Sequence, residues 1–149
     1  MWAIKRFVFG FLIFGWVILG CEPEQKLGVG IHQFPPSEIA WQELQPGLEI
    51  AIVHQGIGVK VKKSDKVQVH YTAWYEDGHM IDSSIKKGRA YRFKVGVGRV
   101  IKAWDLSLVE VTKGSEYYLR SNSDFAFGDG KEDNVRGFVT VIFGIKLMN

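Results

Sequence analysis

VHYTAWYEDGHMIDSS, Val69 to Ser84, decides how the rest of this chain is read. It carries on an alternation that begins at Lys66. Val67, Val69, Tyr71 and Ala73 fall on one face, and Lys66, Gln68, His70 and Thr72 on the other. A period of two with apolar residues on one side marks a half-buried strand. Glu76-Asp77-Gly78 supplies the turn that follows. Beyond the turn, Asp82 comes straight after the apolar Ile81. An acid in that place needs a reason: solvation, a structural hydrogen bond, or work on a substrate.

Outward from this hairpin the pattern stays strand-rich. Towards the N-terminus, Pro46-Gly47 signals a turn, and LEIAIVHQG then alternates, with Leu48, Ile50 and Ile52 opposite Glu49 and Ala51. Towards the C-terminus, Tyr91 to Val95 reads as a short strand. Val100, Ile101, Trp104, Leu108 and Val111 then recur at the spacing of one helix face, with Lys113-Gly114 as the stop. SEYYLRS is a strand in which Glu116, Tyr118 and Arg120 oppose Tyr117 and Leu119. Asn122 to Gly137 is polar and glycine-rich, hence a loop, and Phe138 to Met148 is a last strand. About five strands and one short helix define an α+β domain. One face of the sheet must cover the helix, because a short helix cannot bury itself.

The first part of the chain differs in kind. Lys5 and Arg6 precede an apolar run from Phe7 to Leu19, which is about the length of a signal-peptide core and short for a bilayer span. Ile18-Leu19-Gly20-Cys21 resembles the lipobox of bacterial lipoproteins. That resemblance implies cleavage before Cys21 and acylation of its thiol and new amino terminus. Cys21 is the one cysteine among 149 residues, so no disulfide forms within a chain. Residues 22–37 hold three of the four prolines and no periodic pattern. The expected organisation is therefore a signal over 1–20, a lipidated cysteine and tether over 21–43, and a folded domain over 44–149.

Composition excludes several classes. Without residues 1–20 the formal charge falls from +3 to +1, since Lys5 and Arg6 leave with them, and no basic helix points to nucleic acid. His32, His54, His70 and His79 share no ligand spacing, so no metal site is expected. No serine sits in a nucleophile elbow. Gly96-Val97-Gly98 lacks the third glycine of a dinucleotide loop and reads as a tight bend. No cofactor is expected.

What remains is an aromatic set, and with Asp82 it has a family reading. VHYTAWYEDGHMIDSS resembles the signature of the FKBP-type peptidyl-prolyl isomerases. YRFKVGVGRVIKAWDLSL resembles their strand, bend and helix, SDFAFG their aromatic turn, VIFGIKL their last strand, and LQPGLEIAIVHQGIG the opening strand of bacterial lipoprotein members. These blocks run in family order from Leu44 to Met148. The resemblance implies a bent antiparallel sheet wrapped around the helix, with a slot for a proline ring between them. It assigns catalytic roles to Asp82 and Tyr71. It places Ile81, Tyr91, Phe93, Val100, Ile101, Trp104, Phe127 and Phe143 around the substrate, with Trp104 as floor and the Ile101 N–H holding a carbonyl.

The sequence also departs from the family. Phe127 stands where a tyrosine is usual, which removes a hydrogen bond worth roughly 0.5–1.5 kcal/mol. Ile81 and Tyr91 replace phenylalanines, and Ala103 replaces a glycine. The loop DGKEDNVRG, Asp129 to Gly137, is charged where the family has an apolar overhang. The implied function is isomerisation of X–Pro bonds in proline-containing polypeptides during folding of exported envelope proteins. The protein would act as a monomer anchored to the outer membrane and facing the periplasm, Glu22 after the cysteine favouring that membrane. The alternatives are a non-catalytic FKBP-like module that binds a peptide or partner, and a chaperone whose binding surface lies outside the pocket.

Overall fold

The computed structural model describes residues 30–130 and 135–149. Cys21 and the apolar run before it lie outside the described residues, as do Lys131, Glu132 and Asp133. Among the described residues, seven strands form one antiparallel sheet: β1 (Gln42–Gln45), β2 (Leu48–His54), β3 (Lys66–Tyr75), β4 (Met80–Ser83), β5 (Tyr91–Lys94), β6 (Glu116–Ser121) and β7 (Val141–Leu147). Their order is β1-β2-β6-β7-β3-β4. β5 and β4 share one edge of the long β3, pairing with Lys66–Val69 and Thr72–Trp74 respectively. The expected α+β class holds, and two short strands, β1 and β4, join the five read from periodicity.

One helix, α1 (Lys102–Ser107), fills the concave face of the sheet. Ala103, Trp104 and Leu108 meet Val67, Val69, Leu119, Phe143, Ile145 and Leu147 in the main core. The helix is shorter than its apolar spacing suggests. Glu110 adopts φ +71°, and the chain turns back. The Glu110 N–H then donates to Val61 O and the Val61 N–H to Val111 O, each at 2.9 Å. Val111 belongs to a bridge with the 58–61 segment rather than to the helix face. The Gly96–Gly98 bend is tied to the helix by Asp105, whose carboxylate accepts the Gly96 and Gly98 N–H groups at 2.7 and 2.6 Å.

The tether expected to end at residue 43 is already packed from Gly30, which corrects that boundary. Ile31 is 1% exposed. Phe34 meets the Trp74 ring edge-on at 6.1 Å, and the Tyr118 hydroxyl donates to Gln33 O at 2.9 Å. Ile39 and Trp41 cover Ala51, Trp74, Tyr118 and Ile142, a second cluster on the convex face. Both faces of β7 are thus buried, and a strand buried on both faces carries an unbroken apolar run. Gly144 lets this layer approach: a Cβ there would lie 2.0 Å from Ile31 O. Ile52, which shares a face with Leu48 and Ile50 in the alternation, is 45% exposed at the point where β2 loses register with β6, between Ile52 and His54. Phe138, read as the start of the last strand, is 82% exposed and precedes it.

If residues 30–43 are part of the fold, Ile31→Ala removes a fully buried side chain. It should lower unfolding free energy by about 2–5 kcal/mol. A urea titration showing no change would return this segment to the tether.

Candidate functional site

The opening stretch folds into the edge of a cavity. The turn is set by Gly78 at φ +86° and by the Asp77 carboxylate, which accepts the His79 N–H at 3.0 Å. Behind it the two serines bind β4 and its continuation to β3. Ser84 Oγ accepts the Tyr71 N–H at 2.8 Å, and the Ser84 N–H donates to Tyr71 O at 3.0 Å. Ser83 and Thr72 hydroxyls meet at 3.1 Å. With the backbone fixed in this way, the Tyr71 hydroxyl donates to Asp82 Oδ2 at 2.7 Å.

A cavity of about 330 Å³ lies between this hairpin, α1 and β7. Tyr71 and Ala73 reach it from β3, Ile81 and Asp82 from β4, and Tyr91 from β5. Val100, Ile101 and Trp104 come from the start of α1, Phe143 from β7, and Phe127 from the loop after β6. Trp104 stands at the centre of the rings. Tyr71 is edge-on to it at 4.9 Å, Phe143 edge-on at 5.7 Å, and Tyr91 at 6.2 Å. Such edge-to-face pairs hold a ring in one orientation. Phe93 is not in the wall. It backs Trp104 at 5.6 Å and supports the floor from behind. Ala73 is in the wall and sits two positions from Tyr71, so the strand period carried its signal.

Asp82 is engaged on both oxygens. Oδ2 accepts from Tyr71 and from Lys87 Nζ at 2.6 Å, and Oδ1 accepts the Ser83 N–H at 2.7 Å. Partial burial disfavours its charge. Donation from Lys87, Tyr71 and Ser83 outweighs that and leaves the carboxyl below its ordinary value. Burial, and then the bond to Asp82, push the Tyr71 hydroxyl well above the ordinary tyrosine value. Asp82 therefore stays charged and Tyr71 stays protonated at neutral pH. Lys87 was not singled out in the sequence. It lies five residues past Asp82 beside Lys86, and spacing alone does not say which lysine returns. Its ammonium offsets the carboxylate field at the cavity.

Ile101 is the N-cap of α1, and its N–H donates to no acceptor among the described residues. The cavity thus offers an aromatic floor, one free backbone donor and one hydroxyl–carboxylate pair at its rim. None of the described residues of the 129–137 loop lines it. Arg136 turns instead to the β3–β4 hairpin: its guanidinium meets Asp77 at 2.5 Å and covers the Tyr75 ring at 4.4 Å, while its N–H donates to the Tyr75 hydroxyl at 2.9 Å. Among the described residues no cluster of His, Cys, Asp or Glu could hold a metal ion.

Comparison with known proteins agrees with this geometry. Residues 58–148 match the model of the FKBP-type peptidyl-prolyl cis-trans isomerase family. The protein named FK506-binding protein 2 of Dictyostelium discoideum is 30% identical over 130 residues, 87% of this chain and 84% of that one. Peptidyl-prolyl cis-trans isomerase FKBP2 of Homo sapiens is 32% identical over 108 residues, 72% and 75% of the two chains. The crystal structure of AtFKBP13 superposes with a TM-score of 0.67 at 26% identity, over 74% of this chain and 98% of that one. The chain belongs to the FKBP-type peptidyl-prolyl cis-trans isomerase family.

The pH dependence follows from the direction of the two shifts. A depressed carboxyl keeps its bonds at every pH above the ordinary carboxylate value of about 4 and loses them only as pH falls through its lower folded value. A raised hydroxyl stays protonated beyond the ordinary tyrosine value of about 10. Turnover on X–Pro peptides should therefore be flat from about pH 5 to 9. Lys87→Ala should move the acid limb upward and cost less than about 1 kcal/mol of stability, because the pair is half exposed. An unchanged acid limb in that variant would remove Lys87 from the site.

Proposed function

We propose that this protein catalyses rotation about X–Pro bonds in extended, proline-containing polypeptides. The observation that carries this reading is the ring-walled cavity with Asp82 and Tyr71 locked at its rim. Rotation about an amide must break resonance across a barrier of about 18–20 kcal/mol, but no covalent bond is cut. A catalyst needs only to bind the twisted amide better than the planar one. Twisting reduces the charge separation between oxygen and nitrogen, so a water-poor aromatic pocket favours it over water. The proline ring rests on Trp104 between Tyr71, Tyr91 and Phe143. The Ile101 N–H holds a carbonyl of the substrate and fixes the chain while the bond turns.

Asp82 acts in this scheme as half of an ion pair. Its carboxylate orients the Tyr71 hydroxyl, and Lys87 limits the negative field that reaches the amide. Phe127 contributes a wall without a hydroxyl, so a substrate carbonyl on that side is held by packing alone. That weakens binding by one hydrogen bond, roughly 0.5–1.5 kcal/mol.

The anchor and the location belong to the same proposal. The chain is exported, cut before Cys21 and acylated there. Its domain then stands in the bacterial envelope, on the outer membrane facing the periplasm, and assists folding of exported proteins. Support comes from Lys5, Arg6, the apolar run to Leu19, the Ile18–Cys21 block and Glu22. Two acyl chains give stable anchoring where one gives marginal binding.

Every residue of the two cores lies at or beyond Ile39, and the docked segment begins at Gly30, so a chain of residues 22–149 keeps the whole described fold. It should accelerate cis-to-trans isomerisation of short X–Pro peptides. Asp82→Ala and Trp104→Leu should each lower kcat/KM at least tenfold while circular dichroism shows a folded protein. Phe127→Tyr should lower KM by up to about tenfold, the worth of one hydrogen bond. A folded wild-type chain that accelerates no peptide in a panel of residues before proline would replace catalysis by peptide binding. In the full chain, Cys21→Ser should abolish the acyl mass seen by mass spectrometry; an unacylated wild type ends the anchor reading.

A further inference from the structure

The face of β3 and β5 that turns away from the cavity carries a different chemistry. Val67 and Phe93 point into the core, while Lys66, Arg92 and Lys94 alternate with them on the opposite side. Together with Gln68, Lys113, Met148 and Asn149, and over the edges of Val67 and Phe93, they line a cleft of about 470 Å³. Lys62 and Lys63 are exposed on the turn beside it, where the Ser64 N–H donates to Val95 O and the Val95 N–H to Asp65 O. Asp65, the acid of this turn, accepts the Lys62 N–H at 2.9 Å. None of these six cations takes part in an ion pair among the described residues, whose pairs involve other lysines and arginines.

The arrangement costs stability. Lys66 and Lys94 are direct partners across the antiparallel β3–β5 pair. Like charges placed opposite each other in a sheet destabilise it. Arg92 Nε is held on Gln68 Oε1 at 3.0 Å, which keeps its charge beside that pair instead of letting it swing away. An anionic surface laid across the cleft would turn this repulsion into attraction.

The position of the chain's entry says which surface. The described chain begins at Gly30 on the same convex side. Ile31 lies over Gly144, and His32 lies near Glu116, His70 and Lys146. His70 is two residues along β3 from Gln68 and shares its face, a distance of about 7 Å. From Cys21 to Gly30 the chain spans at most about 30 Å. A lipid on Cys21 would therefore hold the basic cleft within a short reach of the bilayer, and close to the point where the tether joins the domain. Charge attraction acts within about 8–10 Å at physiological ionic strength, and a tether of this length lets the cleft approach the bilayer that closely.

We propose that this basic cleft docks on the anionic phospholipid headgroups of the membrane that carries the anchor. The choice of partner rests on the acylation of Cys21 proposed above. Docking through the convex side leaves the concave side and its cavity open to clients. The anchor supplies residence on the membrane, and the cleft supplies orientation.

The test uses residues 22–149 without acyl chains, so it does not depend on whether Cys21 is modified. The chain is mixed with vesicles of phosphatidylcholine alone or with added phosphatidylglycerol, and the bound fraction is read by sedimentation. Binding to the anionic vesicles at low salt is expected, falling steeply as salt rises, with none to neutral vesicles. Lys66→Glu combined with Lys113→Glu should lower the partition coefficient at least about tenfold. The same Lys66→Glu places an acid opposite Lys94, so thermal stability should rise or hold, and isomerase activity on soluble peptides should not change. No binding to anionic vesicles, equal binding to neutral ones, or undiminished binding by the double variant would each overturn the proposal. So would binding to a soluble polyanion such as heparin without binding to vesicles.

Discussion

The indole of Trp104 is held between a six-residue helix and the concave face of a sheet, and both the fold and the site depend on that contact. A helix of six residues has too few internal hydrogen bonds to persist alone. It exists here because Ala103, Trp104 and Leu108 are buried against β3, β6 and β7. The same burial turns one face of the indole into the floor of the cavity and leaves Phe93 behind it as a support. Packing that stabilises the domain and packing that shapes the pocket are therefore one set of contacts, and a change to either alters the other.

Asp82 follows Ile81 for a physical reason. β4 is a short edge strand with a bulge: Asp82 pairs with Ala73 and Met80 with Trp74, so Ile81 is the extra residue and both Ile81 and Asp82 reach the cavity. Ile81 joins the wall of the cavity, and Asp82 reaches its rim. The carboxylate is satisfied by a hydroxyl, an ammonium and a backbone N–H, which explains why a charged group is stable beside an aromatic pocket. Arg136 does a related job at the other end of the hairpin. It clamps the loop after β6 to Asp77 and Tyr75, and the carboxyl of Asp77, held by the His79 N–H and by Arg136, drops to about 2.

The convex side gives the domain a second half that is easily overlooked. Residues 30–43 cover Trp74, Tyr118 and Ile142, and a glycine at 144 makes room for the backbone of Ile31. The signal for this layer was present in VIFGI, Val141 to Ile145, which is apolar without alternation. A central strand with one solvated face would alternate. Residues 30–41 themselves gave no such signal, because a segment that docks without regular structure has no period to read.

Much of this protein was legible from sequence alone. Alternation in Lys66–Tyr75 and Glu116–Ser121 determined which residues face the core, because a strand has a period of two whatever it packs against. The ordered blocks from Leu44 to Met148 determined the family, and with it the positions around the cavity. Tertiary structure alone decided the rest. The helix stops at Ser107 because backbone groups of Glu110 and Val111 are taken by Val61, fifty residues away. Lys87 rather than Lys86 reaches Asp82 because the turn after β4 brings it back. Phe93 supports Trp104 instead of lining the cavity, and Lys66 faces Lys94, because register across β3 and β5 sets both. Each of these depends on residues far apart along the chain, and local pattern carries no information about which distant groups will compete for the same hydrogen bond, charge or space.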